Sequence, residues 1–262
     1  MSTEAKLAAA APPAGSRVLI VGGCGAIGRS LVDACLSLHH DVAIMDLAGS
    51  IEARPPAGNL KAVIPCDATD EAQVEAAFER LTTLWSAFDV LFFVAGFTLT
   101  PPRPSEQISG ADWDAVLRGN LTSAHLVTRG AAPFLRGGNE PSIVTVSSGM
   151  GVVPLPGFSP YSAAKAGLIA LTKGLALEQS PAIRVNAVAP SAIESDFMRG
   201  GLGRDNDSDG SWFNPEPYLP SIPLRRLATV EDVVGPMLFL ASAAASFVTG
   251  QTLHINGGRF MA

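Results

Sequence analysis

The chain is short of charge for its length. Lys and Arg together number 18 and Asp and Glu 24 in 262 residues, giving a net charge of −6. No long basic block appears, which argues against a nucleic-acid-binding surface. No apolar run approaches the roughly 18 residues that a membrane span needs, so a membrane partner is not expected. Cysteine is scarce too. Cys24, Cys35 and Cys66 are odd in number and outside CxxC spacing, which excludes a disulfide framework and a zinc site and fits reduced thiols in a cytoplasmic protein. The four histidines, His39, His40, His125 and His254, are scattered in no metal-ligand pattern, so no metal is expected. The Ala/Pro-rich start has an apolar stretch that is mostly alanine, too weak for the core of a signal peptide. Residues 1–15 read as a disordered tail.

What is present is apolar: 47% of the residues are hydrophobic, enough for one sizeable core. β-branched and apolar runs occur at "RVLIV", "DVAIMD", "KAVIPCD", "FDVLFFVAG", "SIVTVSS", "IRVNAVAP" and "GQTLHINGG". "FDVLFFVAG" is continuous, as a strand buried on both faces reads. Helical patterns fall between them: Ile27–Leu38, a segment opened by Asp70 as N-cap, Asp112–Phe134, Ser159–Gln179, and "TVEDVVGPMLFLAS" despite its Gly235–Pro236. Alternating strands and helices predict one doubly wound α/β domain over 16–262, with a mostly parallel seven-stranded sheet and helices on both faces. There is no linker and no internal repeat. The one break is 199–221, rich in Gly, Pro and Asp yet carrying Trp212, Phe213 and Tyr218. It reads as a lid over a site.

The first strand runs into "VGGCGAIG", and the first helix follows. Glycines there allow a tight turn and let backbone N–H groups approach a diphosphate at a helix N-terminus. Gly22, Gly25 and Gly28, with Ala26 and Ile27 between them, are the candidate cradle. Asp46 ends the second strand, where a carboxylate accepts bonds from ribose hydroxyls and repels a 2′-phosphate. The expected cofactor is therefore NAD.

A second constellation lies far away in sequence. Tyr161 and Lys165 are four apart on a helix and share a face. A free tyrosine has a pKa of about 10, and a neighbouring ammonium lowers it by favouring the phenolate. Such a pair beside a cofactor suits acid/base work on an alcohol–ketone interconversion. Ser148 lies at the C-terminal end of a strand, where open α/β sheets place ligands, and Asn120 sits within a helical segment.

Asn120, Ser148 and Tyr161-x-x-x-Lys165 match, in order and spacing, the pattern of the short-chain dehydrogenases/reductases. The sequence resembles the single-domain branch of that family, of Rossmann type, from about Ser16 to Gly258. "CDATD" resembles the family's adenine-side segment, "VNAVAPSAI" its nicotinamide segment, and the stretch from "PLRRLATVEDVV" to "LHINGG" its C-terminal region. The resemblance implies that Asp67 and Ala68 lie beside the adenine, and that Ala95, Gly96, Pro190, Ile193 and Ser195 line the rest of the cofactor groove. It further implies that Ser148 and Tyr161 hydrogen-bond the substrate oxygen, and that Tyr161 exchanges the proton while hydride passes to or from the nicotinamide. Lys165 would hold the ribose, and Asn120 a water leading to solvent. A homotetramer is implied as well, with Ala163, Ala164, Ala166, Gly167 and the C-terminal strand as interface candidates.

The sequence departs from the family pattern in places. Val21 and Ala26 replace a threonine and a glycine of the usual loop, and the Gly22–Gly25–Gly28 spacing is that of the epimerase-like branch. Val94 replaces an asparagine, and Ser191 the glycine after Pro190. A dinucleotide-binding regulatory protein and an epimerase or dehydratase are the alternatives to an alcohol dehydrogenase. Candidate substrate walls are Phe97, Met150, Val152, Phe158, Phe197, Met198 and the lid aromatics Trp212, Phe213 and Tyr218, together with Ser148. They suggest a small, uncharged, fairly hydrophobic alcohol or ketone.

Overall fold

The structure, a computed structural model, describes residues 10–193, 195, 197 and 213–261. Seven strands form one sheet: β1 Arg17–Val21, β2 Asp41–Asp46, β3 Ala62–Pro65, β4 Val90–Phe93, β5 Ser142–Val146, β6 Arg184–Pro190 and β7 Thr252–Ile255. Their spatial order is β3-β2-β1-β4-β5-β6-β7, and every pairing is parallel. Parallel strands need crossovers, and helices covering both faces are why the central strands read as unbroken apolar runs. All four residues of β4 and all five of β5 are buried.

The helices are α1 Ala26–Ser37, α2 Ala48–Ala53, α3 Glu71–Thr82, α4 Gly110–Leu117, α5 Ser123–Leu135, α6 Ser159–Gln179 and α7 Glu231–Ala241. Two apolar clusters result. One holds Leu19, Phe78, Leu91 and Leu135, and the other holds Ile20, Leu31, Phe92 and Met237. Successive strand residues point to opposite faces, so Leu19 and Ile20 fall in different clusters. Asp70 caps α3 as expected, accepting from the Ala72 and Gln73 N–H groups at 3.0 and 3.2 Å.

Two features depart from the sequence reading. The short α2 carries too few residues for a helical period to show. The predicted helix over Asp112–Phe134 is two helices joined by a π-helical turn, Arg118–Thr122, and Asn120 lies in that turn. Before β1, Gly15 N–H donates to the His39 carbonyl at 2.8 Å, and the His40 ring is 3.0 Å from the Pro12 carbonyl oxygen. Residues 12–15 are thus tied to the domain; residues 1–9 of the predicted tail lie outside the described residues. Among the described residues no helix is long and apolar enough to cross a membrane.

Sequential strands run outward from β1 through β2 to β3, then restart at β4 on the other side. The crevice at the carboxyl ends of β1 and β4 is therefore the topological switch point, where open α/β sheets bind ligands.

Candidate active site

A cleft of about 300 Å³ opens at that switch point. Its first wall is the loop from β1 to α1. Gly22 has φ of +92°, and a Cβ there would sit 2.7 Å from the Ala95 amide nitrogen. This glycine lets the loops after β1 and β4 approach each other. Gly28 is fixed by packing, since a Cβ on it would overlap the Gly22 carbonyl oxygen. Gly25 differs: its φ is −68°, and the nearest atom to a Cβ would be the Gly22 oxygen at 3.6 Å. Nothing in the protein requires a glycine there, but the open side faces the cleft. Gly25 is the N-cap of α1, no side chain caps that helix, and no acidic residue lies in its first turn. The first N–H groups of a helix have no partner within it, and here Gly25, Ala26, Ile27 and Gly28 line the cleft. The loop thus offers amide donors and a helix N-terminus to an anion.

Asp46 stands beside it at the end of β2. One carboxylate oxygen accepts from Cys24 N–H at 2.7 Å and the other from Leu47 N–H at 2.8 Å. It buttresses the glycine loop and still lines the cleft. Asp67 accepts from the Thr69 amide at 2.9 Å and hydroxyl at 2.8 Å, on the same side. Ala68, Ala95, Gly96, Pro190, Ile193 and Ser195 also line the cleft. Cys24 and Cys66 are buried and free, and burial pushes their thiols up, to about 12 and about 11.

The polar residues meet beyond β4. The turn after β5, Gly149–Gly151, lies so close to α6 that a Cβ on Gly151 would be 2.9 Å from the Lys165 backbone. Ser147 Oγ donates to the Lys165 carbonyl at 2.9 Å. This packing brings Ser148, Tyr161 and Lys165 together. The Ser148 hydroxyl accepts from Met150 N–H at 3.1 Å and hydrogen-bonds Tyr161. Lys165 Nζ donates to the Val146 carbonyl at 2.8 Å and lies 5.5 Å from the centre of the Tyr161 ring. Asn120, 0% exposed, stands behind the cleft wall. Its Nδ2 donates to the Phe97 and Val116 carbonyls at 2.8 and 2.9 Å, while its Oδ1 is buried without a protein donor. A Cβ on Gly96 would contact that Oδ1 and sit 3.2 Å from Lys165 Nζ, so both polar groups converge on Gly96.

The electrostatics differ from what the four-residue spacing suggests. Burial pushes the Tyr161 phenol above its ordinary value, opposed in part by the bond to Ser148. The same burial drives the Lys165 amine down to about 7. An amine that is partly neutral at pH 7 gives the phenol little help, so desolvation dominates both groups.

Apolar side chains close this end. Phe97, Phe158 and Tyr161 cluster with Met150, Leu155 and Phe197, and the Phe197 ring lies 5.5 Å from that of Tyr161. Val152 does not line the cleft: the turn aims it outward, 39% exposed, and Leu155 takes the place expected for it. Met198 and 199–212 lie outside the described residues, whereas Phe213 and Tyr218 line the cleft. Sequence reasoning missed Thr98, Leu155, Ser191 and Arg259 there. Ser191, noticed only as a replaced glycine, was the one available signal.

The residues present suit a nicotinamide dinucleotide. There is an uncapped helix N-terminus for the diphosphate and carboxylates on the adenine side. At the other end a buried lysine amine adjoins a tyrosine, with a buried amide oxygen that has no donor among the described residues. A family model described as enoyl-(acyl carrier protein) reductase matches residues 23–259. The chain belongs to the short-chain dehydrogenase/reductase family. It is 33% identical over 253 residues to nodulation protein G of Rhizobium sp. (strain N33), covering 94% of this chain and 98% of that protein. It is also 33% identical over 249 residues to the 3-oxoacyl-[acyl-carrier-protein] reductase FabG of Aquifex aeolicus (strain VF5), covering 92% and 96%. Among solved structures, a short-chain type dehydrogenase/reductase from Mycobacterium marinum superposes with a TM-score of 0.85 at 26% identity, covering 98% of this chain and all of the other. A 3-ketoacyl-(acyl-carrier-protein) reductase from Brucella melitensis, complexed with NADH, superposes with a TM-score of 0.81 at 27% identity, covering 95% and 99%. The short-chain dehydrogenase/reductase fold, its nicotinamide dinucleotide and its oxidoreductase chemistry thus extend to this chain.

Proposed function

We propose that the protein interconverts a secondary alcohol and a ketone with NAD(H), using Tyr161 as general acid/base. The observation that carries this reading is the convergence of Ser148, Tyr161, Lys165 and Asn120 at one end of a cleft whose other end is built for a dinucleotide. The bound dinucleotide supplies or accepts the hydride. The chain's own residues do the rest. Ser148 and Tyr161 offer hydrogen bonds to the substrate oxygen, and Tyr161 Oη gives or takes its proton. Lys165, buried beside the ring, favours negative charge on that oxygen in its protonated form, which burial makes only part of the population at pH 7. Asn120 Oδ1, facing Gly96 with Lys165 Nζ close by, is suited to accept from a water and so link the lysine to solvent. Phe97, Met150, Phe158 and Phe197 exclude water and hold an apolar body. The named relatives include reductases of 3-oxoacyl thioesters, which are ketones, so the reaction class agrees.

The preference for NAD over NADP rests on Asp46, whose carboxylate would repel a 2′-phosphate beside the loop it buttresses. The test is a screen of secondary alcohols and ketones with NAD(H) and NADP(H) in parallel, on the wild type and Asp46→Ser. We expect the wild type to favour NADH at least tenfold in kcat/KM and Asp46→Ser to lose that preference. An NADPH preference in the wild type removes the NAD assignment. Clear NADH binding without turnover of any ketone favours a regulatory binding protein instead.

A further inference from the structure

The end of the cleft farthest from Asp46 carries a cation. Arg259, which follows β7, stacks its guanidinium on the Tyr218 ring, with Cζ 4.0 Å from the ring centre. Its Nη1 donates to the Tyr218 hydroxyl at 2.7 Å and its Nε to Ser221 Oγ at 3.3 Å. The Tyr218 oxygen lies 2.7 Å from Ser191 Oγ. Either hydroxyl can be the donor in that bond, while the arginine donates to the Tyr218 oxygen. The next residue, Phe260, is lodged against Gly149, where a Cβ would meet its ring at 3.0 Å. Arg259 is thus held in one place by stacking, two hydrogen bonds and a packed neighbour. Ser191, Tyr218 and Arg259 all line the cleft.

Two observations say what this cation faces. Among the described residues, no carboxylate pairs with the guanidinium and its Nη2 has no acceptor. The diphosphate site is also too distant to be its partner. Arg259 follows β7 and the glycine loop follows β1, four strand positions apart, or about 19 Å at about 4.8 Å per strand. A stacked guanidinium whose Nη2 meets no acceptor among the described residues is well matched to a planar carboxylate. We propose that Arg259, stacked on Tyr218, forms a carboxylate-binding subsite, so that the preferred alcohol or ketone carries an anionic group beyond its apolar body. The expectation of an uncharged substrate rested on the apolar walls alone, and Arg259 changes it. As a substrate preference this deepens the oxidoreductase reading and rests on it; as a binding site it stands apart.

The test therefore has two arms. In the first, straight-chain carboxylates of four, six and eight carbons, and the corresponding primary amides, are titrated calorimetrically into the NAD complex. We expect at least one acid to bind tenfold or more tightly than its amide. Arg259→Met should abolish that preference while NADH binding stays within threefold. Arg259→Gln, which keeps the stem and a hydrogen-bonding amide, serves the same purpose where Arg259→Met does not bind NADH. Equal binding of acids and amides, or a preference that survives loss of the arginine, overturns the subsite. In the second arm, 5-oxohexanoate and 6-oxoheptanoate are compared with their methyl esters as ketones for NADH. The acids should be favoured tenfold or more in kcat/KM, through KM, and only in enzymes that keep Arg259. Acid binding with no ketone reduced leaves the subsite and removes the oxidoreductase reading. Ketone reduction with no acid preference in either arm does the reverse.

Discussion

At the scale of the residue, burial decides the chemistry. Lys165 is enclosed with one carbonyl acceptor and no carboxylate, and its amine falls to about 7. In the unfolded chain the same amine keeps its ordinary value of about 10.4. Between those two values the unfolded state binds more protons, so the lysine's destabilising effect fades as pH rises through this window. We expect Lys165→Met to be more stable relative to the cofactor-free wild type at pH 6 than at pH 9. The difference should narrow by roughly 3 kcal/mol, read from urea melts at the two pH values. A gap that does not change with pH would show that the lysine is not desolvated. The identity of these residues was legible in the sequence, because side chains four apart share a helix face. Their pKa directions were not, because desolvation depends on what packs around them. Arg259 shows the same limit: nothing local marks it, and only the closure of the sheet edge and the 213–221 segment brings it to the cleft.

At the scale of the element, the β1–α1 loop is a cradle candidate in which the sequence makes the three glycines look equivalent. The structure separates them. Gly22 and Gly28 are required by the protein's own backbone, at the approach to Ala95 and at the crossing over the Gly22 carbonyl. Gly25 has room for a methyl group and an ordinary φ, so the protein's own packing does not call for glycine there, and the proposed dinucleotide is what would. Gly28→Ala should therefore lower Tm substantially. Gly25→Ala should leave Tm within about 3 °C, as expected of a change away from packed contacts, yet weaken NADH binding tenfold or more by fluorescence titration. Equal effects on Tm would contradict this division. Asn120 is the element-scale surprise. Periodicity continues through Asp112–Phe134, so the π turn was invisible in the sequence, and such turns gather at functional sites. The back-bond to Val116 and the bond to Phe97 show what the turn does: they turn the amide oxygen toward Gly96 and Lys165.

At the scale of the whole molecule, the parallel direction of the strands was legible in the alternation of strands and helices, whereas their spatial order, and with it the switch point, comes from the structure. What the surface does with other copies is less local. Of the small α6 residues expected at an interface, Ala164 is buried inside and Gly167 packs on Leu121, while Ala163 and Ala166 face outward. The C-terminal strand, the other interface candidate, exposes Leu253, and Phe239 and Phe247 near it in the chain are exposed too, Phe247 fully. If the protein is the homotetramer that its family resemblance implies, light scattering gives four times 27.1 kDa, about 108 kDa. In that case Phe247→Asp lowers the mass to a dimer or monomer. A wild-type monomer would contradict the tetramer. The central claim is tested most directly by absorbance at 340 nm. Wild type and Tyr161→Phe, both saturated with NADH, are given the same panel of ketones and oxo acids. We expect the wild type to oxidise NADH with at least one of them, and Tyr161→Phe to bind NADH equally well while turning over at least a hundredfold more slowly. Turnover by Tyr161→Phe within threefold of the wild type would contradict the assignment of Tyr161 as the acid/base.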